Sequence, residues 1–215
     1  LQNFKMKIFK YFLEATFIYL LFFLFRLLGI EFSRKFSSFL LIKSGFLFRQ
    51  KKVIKNNILK VFEKYSNFEI EKLMNQMWSN YGLTFAEYVF LDKFRFNKFK
   101  KNHIKISGEE IINNIKKKGK PVIFISAHLG NFELMAMELE KKNINLATIY
   151  RPLNNYFLNP FMVYLRKKYI CKKQIKKGLV GTRDTINYIK SNNSIALMVD
   201  QRVGESERSP FFNVP

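Results

Sequence analysis

The chain has 215 residues, 48% of them hydrophobic and 25% charged, with 38 Lys+Arg against 16 Asp+Glu and a formal net charge of +22. That length excludes a large multidomain machine, and the apolar content excludes an ordinary disordered chain. The one cysteine, Cys171, excludes a disulfide framework or a thiolate metal site and asks for no oxidising compartment.

The first predicted element is an apolar helix. Phe12 to Ile30 contains an uninterrupted apolar run from Phe17 to Phe25, with charges only at Glu14 and Arg26, and Lys5, Lys7 and Lys10 precede it. A spanning helix needs roughly 20 mostly apolar residues. This stretch reaches that length if Glu14 and Arg26 lie near the interfaces, so it either spans the bilayer or lies in its surface. A buried core helix and a signal sequence are the competing readings, and no small-residue cleavage site follows the run. Basic residues on both sides (Arg34, Lys35 and Lys43 follow it) suit an anionic leaflet but leave the orientation open.

From Arg49 to Leu91 apolar residues recur at helical spacing, as in Ile54, Ile58 and Val61, then Ile70, Met74 and Met77. A basic, turn-rich stretch follows from Lys93 to Lys105, then a polar helix from Gly108 to Lys118 closed by Gly119. Pro121 to Ser126 is a short continuous apolar run, as expected of a parallel strand buried on both faces. Asn131 to Lys142 has a helical pattern, with Asn131 as N-cap. Ile144–Tyr150 reads as a strand, Tyr156–Tyr169 and Val180–Ser191 as helices, and Ile195–Val199 as a strand. The succession predicts an α/β fold with right-handed crossovers. The expected organisation is an N-terminal membrane anchor over residues 1–31, a helical segment over 32–107 packing on the core, and an α/β core over 108–215. The chain stops at Pro215 just after a strand and a Pro/Phe-rich loop, which leads us to expect further C-terminal sequence.

In α/β sheets the ligand site lies at the carboxyl ends of the strands. After the first strand comes Ser126-Ala-His128-Leu-Gly130-Asn-Phe-Glu133. On one continuous helix His128 and Glu133 would point about 140° apart. They meet only if His128 sits in the turn before the helix and Glu133 in its first turn, and Gly130 and Asn131 supply such a turn. An imidazole so placed takes a proton from a hydroxyl while a carboxylate fixes its tautomer. The adjoining helix N-terminus offers N–H groups to an oxyanion or phosphate. A first-turn Glu that merely complements the helix dipole is the plainer alternative.

The run Ile123 to Glu133 resembles the His-x4-Asp/Glu block of the lipid A biosynthesis acyltransferases, the lauroyl/myristoyl branch of the glycerolipid acyltransferase superfamily. Tyr150-Arg151-Pro152, followed by a helix containing Arg166, resembles the family's Arg-Pro block, and Gly181-x-Arg183 its later Gly/Arg segment. Val199-Asp200-Gln201 and Pro210-Phe211-Phe212-x-x-Pro215 resemble its Asp-Gln and Phe-Phe-Gly-x-Pro blocks, with Asn213 where Gly is usual. The resemblance covers nearly the whole chain. It implies a glycerolipid-acyltransferase-like mixed sheet flanked by helices. It also implies transfer of a fatty acyl group from acyl carrier protein to a hydroxyl of an anionic glycolipid, typically a Kdo-bearing lipid A precursor, on the cytoplasmic face of a bacterial inner membrane.

On that reading His128 is the general base and Glu133 its orienter, and replacing either by Ala abolishes transfer while leaving folding and membrane association intact. Arg151, Arg183, Asp200, Gln201 and Asn131 are the substrate-binding candidates. Arg151 offers a planar fork to phosphate or oxyanion, and Asp200 positions an Arg or the substrate. The thioester carries the energy, so no cofactor is required, and His103 and His128 are too few for a histidine metal cluster. A lysophospholipid or phosphatidylinositol mannoside is the alternative acceptor. A membrane-associated, basic nucleic-acid-binding protein is the alternative of another class. No recognition motif interleaves the basic residues, so nucleic acid is not an expected partner. Cys171 among Lys172, Lys173, Lys176 and Lys177 sits in a setting that lowers a thiol pKa, and is read as incidental. His103 is read as solvated or phosphate-facing.

Overall fold

The structure is a computed structural model that describes residues 2–201 and Pro210. The Phe-Phe block at Phe211 and Phe212, and the expected C-terminal continuation, lie outside the described residues. Helix α1 (Gln2–Leu28) ends at Gly29, whose φ of 81° only glycine adopts freely, and α2 (Ile30–Ser44) turns away from it. A 3-10 turn, Gly45–Leu47, leads to α3 (Lys51–Val61) and then α4 (Asn67–Glu87). The start of α4 is fixed by a reciprocal capping box between Ser66 and Glu69. Helix α2 lies along α4, where Gly82 lets the two backbones approach: a Cβ there would stand 2.5 Å from the Ser37 carbonyl oxygen.

A 3-10 turn (Tyr88–Phe90), the short α5 (Leu91–Arg95) and α6 (Glu109–Lys118) lead into the α/β part. This consists of β1 (Ile123–Ser126), α7 (Glu133–Lys141), β2 (Leu146–Tyr150), α8 (Asn159–Leu165), a π turn (Arg166–Ile170), β3 (Lys173–Lys176), α9 (Leu179–Lys190) and β4 (Ser194–Met198). The strands lie in the order β1-β4-β2-β3. All three pairings are parallel, so the described strands include no antiparallel member of a mixed sheet.

One sheet face, through Phe124, Leu146 and Ala196, joins a core with Met137 of α7, Phe90, and Phe22 and Phe25 of α1. The other, through Ala147, Ile175 and Ile195, packs on Tyr188 and Ile189 of α9. The apolar N-terminal helix is therefore partly a core element as well as the one described helix long and apolar enough to cross a membrane.

Two expectations are corrected. Strand β1 is an edge strand among the described strands, with Ile123 50% and Ile125 66% exposed, because α9 packs across β4, β2 and β3 on that face. Strand β3 was missed because Lys-Gln-Ile-Lys has a single apolar residue, Ile175, which it buries from the opposite edge. Lysines on an edge strand also discourage pairing with a further strand.

Candidate active site

The site forms where β1 and β4 end side by side. The Val199 N–H donates to the Ser126 carbonyl at 3.1 Å, extending the pairing by one residue, so the next residues of each chain segment face one another. Gly130, with φ 54°, turns the chain from β1 towards α7. His128 and Asp200, 72 positions apart, meet across this junction. The Asp200 carboxylate accepts from the His128 backbone N–H at 2.8 Å and lies 2.7 Å from ring Nδ1.

A carboxylate accepts, so Nδ1 carries the proton and Nε2 presents its lone pair. The Gln201 amide stands 3.2 Å from Nε2 and donates to it, consistent with that tautomer. Phe132 packs edge-on against the imidazole with centroids 4.5 Å apart. Burial of Asp200 opposes its ionisation, but the ring and backbone hydrogen bonds from His128 outweigh it and hold the carboxyl below its ordinary pKa.

Glu133 does not reach His128. It opens α7 facing the core, where it is buried and accepts from the Tyr88 hydroxyl and, at 2.8 Å, from Arg166 Nε. Arg166 Nη2 is also 2.8 Å from the same carboxylate and 3.1 Å from the Tyr88 oxygen. The expectation that Glu133 orients His128 is thus corrected. A buried carboxylate requires a buried cation, and the π turn that begins at Arg166 delivers one. Burial and the neighbouring Glu133 charge push the Tyr88 hydroxyl far above its ordinary pKa, so it stays a donor. Burial works against the Arg166 charge, but Glu133 and Tyr88 raise its pKa beyond the already high guanidinium value.

Asn131 is not the N-cap, since α7 is preceded by Phe132 with no side-chain cap. Its Nδ2 donates to Glu87 at 2.7 Å, and Glu87 in turn holds Arg34 at 2.7 Å, so the turn after His128 is tied to α4 and α2. Thr84 donates to the Gly130 carbonyl at 3.2 Å and adds a second tie. Tyr88, Glu87, Arg34 and Thr84 were not singled out from sequence as site residues. Only the helical spacing of α4 signalled that a face there packs on something.

Arg151 directly follows β2 and is exposed, two strand positions from β1 and so about 10 Å across the sheet. Arg183 is exposed in the second turn of α9, which starts beyond β3 at the same carboxyl edge. The structure brings His128, Asp200 and Gln201 together, and leaves Arg151 and Arg183 exposed, outside that group and without a hydrogen-bonding or ion-pair partner among the described residues.

His128 and Gln201 line a cavity of about 1740 Å3, well above the usual 300–1,000 Å3 of a small-ligand site. Its wall is predominantly apolar, including Ile18, Leu41, Ile58, Met77, Phe85 and Phe132. Trp78 lies within it, its indole against Gly45, where a Cβ would stand 2.3 Å from the ring.

Two side readings change. Cys171 is buried, and burial together with the Glu140 charge pushes its thiol up to about 11, the reverse of an activated cysteine. His103 packs edge-on to Phe99 at 4.6 Å and lies 3.2 Å from Arg34 Nη1, rather than standing free in solvent.

A family model described as "bacterial lipid A biosynthesis acyltransferase" matches residues 2–215. No curated protein matches the chain significantly.

Proposed function

The chain belongs to the bacterial lipid A biosynthesis acyltransferases, and from that premise we propose that it moves a fatty acyl group from an acyl carrier protein thioester to a hydroxyl of a phosphorylated lipid A precursor. The observation that carries the chemistry is the Asp200–His128 pair, with Nδ1 held by the carboxylate and the ring lining an apolar cavity.

The acceptor hydroxyl gives its proton to Nε2 as its oxygen attacks the thioester carbonyl. The tetrahedral oxyanion then collapses, the C–S bond breaks, and the imidazolium returns the proton to the departing thiolate. Asp200 stabilises the imidazolium and fixes the ring. Gln201 must give up its contact with Nε2 when the hydroxyl arrives. Arg151, exposed just after β2, is suited to an acceptor phosphate, and Arg183 to a more distant anionic group. The apolar cavity takes hydrocarbon chains and keeps water from the thioester. A carrier-protein donor supports a reaction on the cytoplasmic face of the inner membrane, and the exposed basic residues suit an anionic surface there.

His128→Ala is expected to abolish transfer from acyl carrier protein thioester to a tetra-acylated lipid A precursor, with circular dichroism and membrane association unchanged. Near-normal transfer by this variant would remove His128 from the chemistry. A panel including a lysophospholipid and a phosphatidylinositol mannoside checks the acceptor, and faster turnover of either would reassign it.

A further inference from the structure

From Phe17 to Phe25 helix α1 is apolar around its circumference, and such a stretch must be covered on every side by protein or lipid. Protein covers only one stripe, through Ala15, Phe22 and Phe25. Polar ties accompany that stripe along the helix. Along its middle, Asn155 donates to the Tyr11 carbonyl at 2.8 Å, and Tyr19 donates to the Phe157 carbonyl at 2.7 Å. Near its end, Arg26 forks onto Asp92 at 2.8 and 2.7 Å. From Tyr11 to Arg26 is about 22 Å of helix, all docked on the loop before α8, on the core and on α5. If α1 crossed the bilayer, it would draw Asn155, Asp92 and irregular backbone into hydrocarbon, where lipid-exposed loops do not occur.

The uncovered side of α1 presents Leu13, Leu20, Phe23 and Leu27, and α2 adds Phe32 and Phe39. Beyond α2, the turn residues Leu47 and Phe48 are 72% and 71% exposed. All three elements contribute to the cavity wall, with Phe17 and Leu21 from α1, Leu40 from α2, and Leu47 and Phe48 from the turn. Of these, Phe17, Leu47 and Phe48 are themselves exposed, so the cavity wall continues onto the apolar surface of α1 and the turn. Residues 43–64 carry seven cations against the single acid Glu63, a net +6. Of these, Lys51 stands 3.8 Å from Glu71 and Lys55 bonds to Asn67.

We propose that α1 lies in the plane of a single anionic leaflet and does not cross the membrane, and that the Phe46–Phe48 turn with its flanking cations dips into the same leaflet. The cavity then opens sideways into lipid, and an acceptor reaches His128 without passing through water. The placement of α1 and the turn is independent of the chemistry at His128, and only the acceptor's route rests on the proposed function.

The test uses the full chain in sealed inside-out vesicles from expressing bacteria, with Lys5→Cys or Lys118→Cys and a membrane-impermeant maleimide. The native Cys171 is buried, and labelling after detergent addition gives the total for each thiol. Both thiols are expected to react from the same side, in equal proportion before and after vesicle opening. Reaction from opposite sides would mean that α1 spans and would overturn the proposal. The turn is tested separately through Trp78, the one tryptophan, whose ring lies 6.3 Å from that of Phe48. Brominated phosphatidylglycerol should quench its emission, and the triple change Phe46→Ser, Leu47→Ser, Phe48→Ser should reduce the quenching by at least half. Undiminished quenching in that variant would remove the turn from the leaflet.

Discussion

At the scale of single residues, the two carboxylates near His128 divide the work by location. Asp200 touches the imidazole, so Asp200→Asn should lower kcat by roughly 10²–10⁴ through loss of the correct tautomer and of imidazolium stabilisation. KM for either substrate should change little. The folded-state pKa of Asp200 is depressed, so its contribution to stability is present above the ordinary Asp value of about 3.9 and is lost as pH falls through the depressed value. The difference in Tm between wild type and Asp200→Asn should therefore hold from neutral pH down to about pH 4 and narrow below it. A difference that vanished already near pH 6 would contradict the pairing.

Glu133 is a different case, because it neutralises Arg166 in the core. Glu133→Gln should cost about 3–5 kcal/mol in urea unfolding, as expected when one partner of a buried pair is removed. Glu133→Gln with Arg166→Gln should recover part of that loss. An inactive Glu133→Gln of wild-type stability would return Glu133 to the reacting centre. Sequence reasoning identified His128 because strand, turn and helix are local signals. It paired His128 with Glu133 because both stand in one local His-x4-Glu block, whereas Asp200, which touches the ring, arrives through the register of β1 with β4, a pairing 72 residues apart. Asp200 itself was visible as a polar residue ending an apolar strand, but its partner was not.

At the scale of elements, the close contact of α2 with α4 sets where α4 can hold Glu87 and Thr84 against the turn after His128. Gly82 makes that contact possible, since an added Cβ would lie 2.5 Å from Ser37 O and 2.6 Å from Ser38 Cα, both backbone atoms. Helix propensity alone predicts that Gly82→Ala stabilises by about 1 kcal/mol. The overpacked contact predicts the opposite sign, a loss of about 1–3 kcal/mol, and thermal unfolding decides between them. If the variant proved more stable, the two helices would have room that the structure does not show. Nothing in the local sequence separates Gly82 from a tolerated helical glycine, because the reason for it lies on another helix. Helices α4, α7 and α9, by contrast, were legible from apolar spacing within a few residues. Strand β3 was not, because an edge strand with one buried side chain carries almost no periodic signal. The burial of β1 was overestimated for a related reason: an apolar run reveals that a strand exists, not how many of its faces are covered.

At the scale of the whole molecule, the +22 charge is what the sequence displays most openly and what the fold neutralises least. Nine acids among the described residues already stand within 4.0 Å of a Lys or Arg, most of them holding elements together, as in Arg34–Glu87 and Arg95–Glu140. The remaining basic surplus therefore has few acids left to meet within the chain. A surplus of this kind acts on encounter with anions, and the action is screened as the Debye length falls from about 10 Å at 0.1 M salt to about 3 Å at 1 M. If the surplus draws in a phosphorylated acceptor and an acidic carrier protein, KM for both should rise several-fold over that range while kcat stays nearly constant. The Asp200–His128 pair lies inside the site, where screening is weak. Arg151→Ala should raise KM for the phosphorylated acceptor at low salt and flatten its salt dependence, without altering KM for the carrier protein. Steady-state kinetics at both ionic strengths separate these effects. A salt-independent KM for both substrates would leave the surplus to the membrane surface alone, and a fall in kcat with salt would mean that screening reaches the reacting groups.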